Sequence, residues 1–122
     1  MDINSKSLSK EKKNMLLFMM LIQQYEKIAR MNLGEVPNPV HNQVEEDLQS
    51  ARFAIDTLDM LRDFTQNNLN KETREYIDTL FNELSASLKT KSDAEEARKK
   101  EEADKQKKAD GDSAEQAAQS DE

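Results

Sequence analysis

Residues 33–39 read LGEVPNP and separate two stretches that each have the apolar spacing of an α-helix. Gly34 suits the left-handed conformation found just after many helices, and the prolines at positions 37 and 39 oppose helical continuation. This short segment therefore predicts that one helix ends near Leu33 and that the chain turns before a second helix begins.

Residues 10–32, which precede the turn, have an apolar face with helical spacing. That face comprises Met15, Phe18, Met19, Ile22, Tyr25, Ala29 and Leu33, with Leu17, Leu21 and Ile28 beside it. Leu16, Met20 and Met31 lie outside the face, so the helix has more apolar surface than one neighbouring helix covers. We expect a core helix that also meets a second surface.

The start of this segment has some features of an export signal, because lysines at positions 10, 12 and 13 precede eight apolar residues, 15–22. A secretory signal also needs a small-residue cleavage site, but the apolar run leads into QQYEK, and Glu11 interrupts the basic cluster. Eight apolar residues are also far fewer than the roughly 20 that span a bilayer. The chain contains no cysteine, which agrees with a reducing compartment, and we expect a cytoplasmic protein.

Residues 40–64 carry the second helical pattern, and its apolar side chains fall on two stripes. The core stripe comprises Val44, Leu48, Ala51, Ile55 and Leu58, with Ala54 and Leu61 alongside. Phe53, Met60 and Phe64 lie almost opposite that stripe. One flat pair of helices does not easily cover both stripes, so the pattern predicts a second chain against one of them. The alternative is that the first and third helices pack on opposite sides of the second within one chain.

Residues 65–70, TQNNLN, have the composition of a turn, and Asn70 is a good N-cap for a third helix at residues 71–89. The apolar face of this third helix comprises Thr73, Tyr76, Ile77, Leu80, Phe81, Leu84 and Leu88. No stretch of the chain alternates as a β-strand does. Three amphipathic helices with short connections predict an all-α fold, either a small antiparallel helical hairpin or a three-helix bundle.

The chain changes character after Leu88, because residues 89–122 contain no Val, Ile, Leu, Met or aromatic side chain and cannot form a core. Glutamate and lysine pairs at i, i+4 predict a partly populated, solvated helix to about residue 109, followed by disorder. The predicted organisation is a flexible N-terminus at 1–9, a three-helix domain at 10–89 and a charged tail, partly helical or disordered, at 90–122.

One pair of side chains has the spacing of metal ligands. His41 and Glu45 would share a helix face, but a transition-metal site usually has three or four ligands. We therefore interpret the pair as part of a solvated helix start.

A row of carboxylates follows on the second helix, formed by Asp56, Asp59 and Asp63. We interpret it as a solvated face on which Arg52 pairs with Asp56 at i, i+4, the alternative being a site for a divalent cation or a basic partner. For Asp56 we also expect a structural hydrogen bond near a turn or a neighbouring helix end.

Composition and motifs argue against several classes of function. The net charge of −7 opposes binding to nucleic-acid phosphates. The sequence has no Gly-rich phosphate loop or nucleophile motif, and its two glycines are too few to build a nucleotide cradle easily. We expect no enzyme activity, with no catalytic, cofactor-binding or metal-binding residues and no small-molecule substrate.

The segments LGEVPNP (33–39), DLQSARFAIDTLDML (47–61) and TQNNL (65–69) resemble a bacterial family of small uncharacterised proteins, domain-of-unknown-function family 1844. The family pattern is a Leu-Gly-x-x-x-x-Pro turn, then Asn-Leu-x-x-Ala-x-x-x-Ile-Asp-x-Leu-x-x-Leu, then Lys-Thr-x-Gly-Asn-Leu. This sequence departs from the pattern with Asp47 for Asn, Phe64 for Lys, Asn67 for Gly and Ser85 for Arg. The resemblance covers roughly residues 18–88 and implies a helical fold and a bacterial cytoplasmic origin, but no activity or catalytic residue.

Two classes of function are compatible with these patterns. The first is a non-catalytic protein-interaction module that acts as a homodimer or binds another protein. Its candidate surface comprises Leu16, Met20, Met31, Phe53, Met60 and Phe64. The second is a peripheral membrane or membrane-complex accessory protein that places the apolar first helix on an anionic lipid surface. Its basic residues would be Lys6, Lys10, Lys12 and Lys13.

Overall fold

The structure, a computed structural model, describes residues 8–120 and the side chains of residues 8–108. It contains three α-helices, α1 (Lys10–Asn32), α2 (Leu48–Thr65) and α3 (Lys71–Ser120), and residues 8–120 include no β-strand. The predicted all-α, three-helix fold is therefore confirmed. The flexible N-terminus predicted at residues 1–9 lies almost wholly outside the described residues, and so does Lys6.

α1 begins and ends at the predicted residues. Ser9 is its N-cap, with the hydroxyl oxygen accepting a hydrogen bond from the Lys12 backbone N–H at 3.2 Å. At the other end Gly34 has φ of 78°. The N–H groups of Gly34 and Glu35 donate to the carbonyls two and three residues before the C-cap, at 3.1 and 2.9 Å, which is the Schellman arrangement. Among residues 8–120, no helix is both long enough and apolar enough to cross a bilayer.

α2 begins at Leu48, eight residues later than the sequence pattern predicts. Residues 35–47 instead form a loop held by its own hydrogen bonds. Asn38 donates its backbone N–H to the Gln43 carbonyl at 2.8 Å, and the Asn38 side-chain oxygen accepts from the Val40 N–H at 2.9 Å. Asn42 has a positive φ of 52°, which a helix interior does not allow. The prediction of a helix over residues 40–47 is therefore wrong.

Asp47 fixes the actual start of α2. Its carboxylate accepts hydrogen bonds from the backbone N–H of Ser50 at 3.1 Å and from the Ser50 hydroxyl at 2.7 Å. These bonds keep the pKa of Asp47 below its ordinary value. An aspartate at the N-cap satisfies one of the free N–H groups of the first turn, so the helix begins at the next residue.

α1 and α2 are antiparallel neighbours. Leu33, at the end of α1, forms an isolated bridge with Glu46, and the Asp47 N–H donates to the Asn32 carbonyl at 2.8 Å. At the opposite end, Met15 of α1 and Thr65 of α2 line one cavity of about 210 Å³. α3 begins after a short turn in which Asn70, as predicted, caps the helix by accepting from the Thr73 N–H at 2.8 Å.

The core contains residues from all three helices. Its buried members are Ile22, Ala29, Leu33, Ala51, Ala54, Ile55, Leu58, Ile77, Leu80, Leu84 and Leu88, each on a predicted apolar face. Val44 and Tyr76 were also predicted to face the core, and both are exposed. Val44 is exposed because it precedes α2. Tyr76 lies at the edge of α3, where its hydroxyl donates to Glu26 at 3.4 Å.

Two arginines connect α3 to the other helices. Arg30 of α1 contacts Glu83 of α3 at 3.2 Å, in addition to its ion pairs with Glu26 at 3.0 Å and Glu35 at 2.8 Å. Burial alone would lower the pKa of the Arg30 guanidinium, but its bonds to the three carboxylates raise the pKa overall.

Arg62 connects α2 to α3. It contacts Asp78 at 3.3 Å and lies over the Phe81 ring, 4.2 Å from the ring centre. It also pairs with Asp59 at 2.6 Å on its own helix. α3 therefore lies against one defined side of both α1 and α2.

The chain divides into two compact units, Met1–Lys89 and Thr90–Glu122. In the second unit the helix extends to Ser120, beyond the end predicted near residue 109. Alanine, glutamate, lysine and glutamine dominate this segment, and all four are strong helix formers. One predicted i, i+4 pair is present, with Lys99 Nζ 3.1 Å from Glu95 Oε1, and the side chains of residues 96–108 are exposed.

Candidate interaction surface

Large apolar side chains remain exposed on both α1 and α2. We call the set of Leu17, Met20, Leu21, Phe53, Met60 and Phe64 the open face. Its most exposed members are Phe53, at 71% of full exposure, and Phe64, at 81%. Side chains of this size are usually buried, and a contiguous group of them on a surface is typical of a binding site.

Five of the six members of the open face point away from α3, and Met20 lies at the edge of the face. On α1, Glu26 and Arg30 contact α3. Counting 100° per residue, the exposed Leu17 and Leu21 lie roughly 160° around the helix from them, whereas Met20 lies roughly 100° from them. On α2, Arg62 contacts α3, and the three exposed members lie roughly 180° from it. α1 and α2 thus form a layer that α3 covers on one side only.

The predicted surface residues differ in their exposure. Met20, Phe53, Met60 and Phe64 belong to the open face, while Leu16 and Met31 are only half-exposed. Leu17 and Leu21 were predicted to widen the core face of α1 but are 41% and 37% exposed. Leu17 lies roughly 140° from the buried Ile22 on the helix, and that angle was the available signal.

Charged side chains border the open face on its two outer edges. Moving around α1 from its contact with α2, one meets Leu21 and Leu17 first, and then an edge formed by Lys13, Met20 and Lys27. Moving around α2 from its contact with α1, one meets the exposed phenylalanines and then a pair of aspartates, Asp56 and Asp63. Within the part of the chain that the structure describes, none of these four charged side chains forms an ion pair. The α1 edge is therefore basic and the α2 edge acidic.

Two predictions about Asp56 are wrong. Its carboxylate is exposed and forms no hydrogen bond with any described residue, and the expected ion pair with Arg52 is not present. The aspartate of α2 that does pair is Asp59, with Arg62. Asp56 points outward from α2 instead of towards a turn or a neighbouring helix end.

His41 and Glu45, which were interpreted as part of a solvated helix start, lie in the loop instead of on a helix. His41 Nδ1 is 2.6 Å from Glu45 Oε1, and the two side chains are 60% and 43% exposed. Among the described residues, no group of three or more His, Cys, Asp or Glu side chains has a geometry suited to a metal ion. The described residues therefore offer this pair no third ligand.

Two small depressions lie at the ends of the helices. The cavity of about 210 Å³ lies between α1 and the end of α2 with the turn that follows it, and is lined by Glu11, Asn14, Met15, Phe18, Thr65, Asn68 and Leu69. A wider one of about 310 Å³ is lined by Arg62, Asp63, Gln66, Arg74 and Asp78. In the second, two cations and two anions oppose each other, so it selects for neither charge.

Comparison with known proteins identifies a family. The sequence model of a family described as a domain of unknown function (DUF1844) matches residues 15–90. The chain belongs to this family. No curated protein and no solved structure matches it.

The resemblance seen in the sequence is thus confirmed, and the matched segment contains every residue of the open face. The departures from the family pattern now have positions in the fold. Asp47, where the pattern has Asn, caps α2, and both residue types serve well as N-caps. Phe64, where the pattern has Lys, makes the open face of this member more apolar.

Proposed function

We propose that this member of the family is a non-catalytic protein-interaction module that forms a homodimer through the open face. The observation that supports this proposal is that five of the six large exposed side chains lie on the side of α1 and α2 opposite α3, with Met20 at the edge of that side. The bacterial, cytoplasmic setting that the family resemblance implies stays a prediction.

Burial of this surface would favour association. An aromatic side chain removes on the order of 150–250 Å² of surface from water when it is buried, and the open face offers two exposed phenylalanines. In a two-fold symmetric dimer each such side chain is buried twice, because both copies use the same patch. Aromatic residues at the centre of an interface commonly contribute most of the binding free energy.

An anionic membrane is the competing target, favoured by the exposed Lys10 and Lys12 at the start of α1. Asp56 and Asp63 border the same face and would repel such a surface. Flotation with vesicles of neutral and anionic lipid distinguishes the two targets. We expect the chain to stay unbound in both, whereas salt-sensitive flotation with anionic vesicles would favour the membrane.

The direct test of the proposal replaces one phenylalanine by an acid. Phe64→Asp should raise the dissociation constant of the dimer by about 100-fold, because a charge would lose its hydration in the apolar interface. Because Phe64 is 81% exposed within one chain, the helical content should not change. The dissociation constant is measured by light scattering over a concentration series, and the helical content by circular dichroism.

Val40→Asp is the matched control. Val40 is 82% exposed but lies in the loop between α1 and α2, outside the open face, so this variant should associate as the wild type does. Equal association of wild type, Phe64→Asp and Val40→Asp would contradict the proposed interface.

A further inference from the structure

We propose that the second copy is seated with its α1 on α2 of the first, so that the basic edge of each open face meets the acidic edge of the other. This seating rests on the proposed function, because it specifies how the homodimer is arranged. It assigns partners to four charged side chains that form no ion pair with any described residue of their own chain, Lys13, Lys27, Asp56 and Asp63.

The positions of the charges along the helices are set by contacts at both ends of the α1 and α2 pair. Leu33 is bridged to Glu46, and Met15 lies near Thr65. Both helices rise by about 1.5 Å per residue, so positions on α1 and α2 whose numbers add up to about 80 lie at the same height. Asp56 is then about level with Gln24, within one turn of Lys27. Asp63 is about level with Leu17, one turn from Lys13.

Two symmetric seatings would bury the open face. A two-fold axis parallel to the helices places α1 of each copy on α2 of the other. Residues at the same height along the two helices then face each other across the interface. Phe64 and Met60 then lie at the height of Leu17 and Met20 of the second copy. A two-fold axis across the helices instead places α1 on α1 and α2 on α2.

Charge distinguishes the two seatings. With the axis parallel to the helices, Lys27 of one copy approaches Asp56 of the other, and Lys13 approaches Asp63, along both outer edges. With the axis across the helices, lysine edges face lysine edges and aspartate edges face aspartate edges. Like charges opposed across an interface disfavour that arrangement, whereas complementary charges set the register. The distribution of charge therefore selects α1 on α2.

Charge reversal at one pair tests the seating. Lys27→Glu and Asp56→Lys each replace two attractive contacts in the symmetric dimer by two repulsive ones. Each variant should raise the dissociation constant by about tenfold, measured by sedimentation equilibrium at low salt. The double variant Lys27→Glu, Asp56→Lys should restore the wild-type dissociation constant. Lys12→Glu, on the same helix but outside the open face, is the control and should leave it unchanged.

Directed cross-linking gives a readout that does not depend on charge. The chain has no cysteine, so single cysteines form defined bridges. A mixture of Met20→Cys and Met60→Cys chains should oxidise to a mixed disulfide dimer. Replacing the Met60→Cys chain by Thr79→Cys, a cysteine at an exposed position on α3, should abolish that product.

Different failures of these experiments are distinguishable. A wild type that dimerises and is disrupted by Phe64→Asp, but is insensitive to Lys27→Glu and Asp56→Lys, would overturn the seating and leave the proposed function intact. The seating would also be overturned if the single variants weaken dimerisation and the double variant does not restore it. A wild type that is monomeric throughout would contradict both the seating and the proposed function.

Discussion

At the scale of single residues, Arg30 holds three parts of the chain together. Its guanidinium contacts Glu26 on its own helix, Glu35 just after the Schellman turn, and Glu83 on α3. The contact with Glu83 crosses 53 positions of sequence, so no local pattern predicts it. The i, i+4 contact with Glu26 has the spacing that a sequence does show.

Arg30→Ala tests this role. The substitution removes three ion pairs from a side chain that is 23% exposed and leaves three carboxylates near one another. We expect a loss of about 1–2 kcal/mol in the free energy of unfolding, measured by urea denaturation. Arg52→Ala, at an exposed position, is the control and should change stability little. Equal losses in the two variants would show that Arg30 does not connect the helices.

The open face shows where residue-level prediction from sequence ends. Phe53, Met60 and Phe64 were recognisable because they lie opposite the core stripe of α2. Leu17 and Leu21 were placed with the core face. The helical wheel does separate Leu17 from Ile22 by roughly 140°, but it does not say where neighbouring helices lie. Their exposure follows from the position of α3, which is fixed by contacts between residues distant in sequence.

At the scale of elements, local signals placed the ends of α1 and the start of α3 correctly. Gly34 and Asn70 each act through backbone groups within a few residues, so the sequence contains the whole interaction. The start of α2 was misplaced because Val44 continued the apolar spacing into the loop. The side-chain and backbone hydrogen bonds of Asn38 compete with helix formation there, and periodicity does not register them.

The N-cap of α2 predicts a pH dependence. Hydrogen bonds from Ser50 lower the pKa of Asp47 in the folded state, so the folded state favours the ionised carboxylate. Its stabilising effect is present above the ordinary pKa of an aspartate, about 3.9, and is lost as the pH falls through the lowered value.

Asp47→Asn separates this effect from capping itself. Asparagine keeps an oxygen acceptor at the N-cap but does not titrate, so the variant should lose less stability than the wild type on acidification. The measurement is the urea midpoint at a series of pH values from neutral to acidic. If the urea midpoints of the two proteins fall equally on acidification, Asp47 does not contribute to the loss of stability at low pH.

At the scale of the whole molecule, the first unit is a layer of two helices covered by α3 on one side. The sequence predicted the three helices and the excess of apolar surface. It left open whether the first and third helices enclose the second from opposite sides. The arginine contacts exclude that alternative, because they place α3 on the side opposite Phe53 and Phe64.

The most direct test of the central claim is the mass of the full-length wild-type chain in solution. Sedimentation equilibrium at micromolar concentrations should give about twice the 14.0 kDa of one chain, decreasing towards one chain on dilution. A mass of 14.0 kDa at every concentration up to the highest accessible would contradict self-association through the open face.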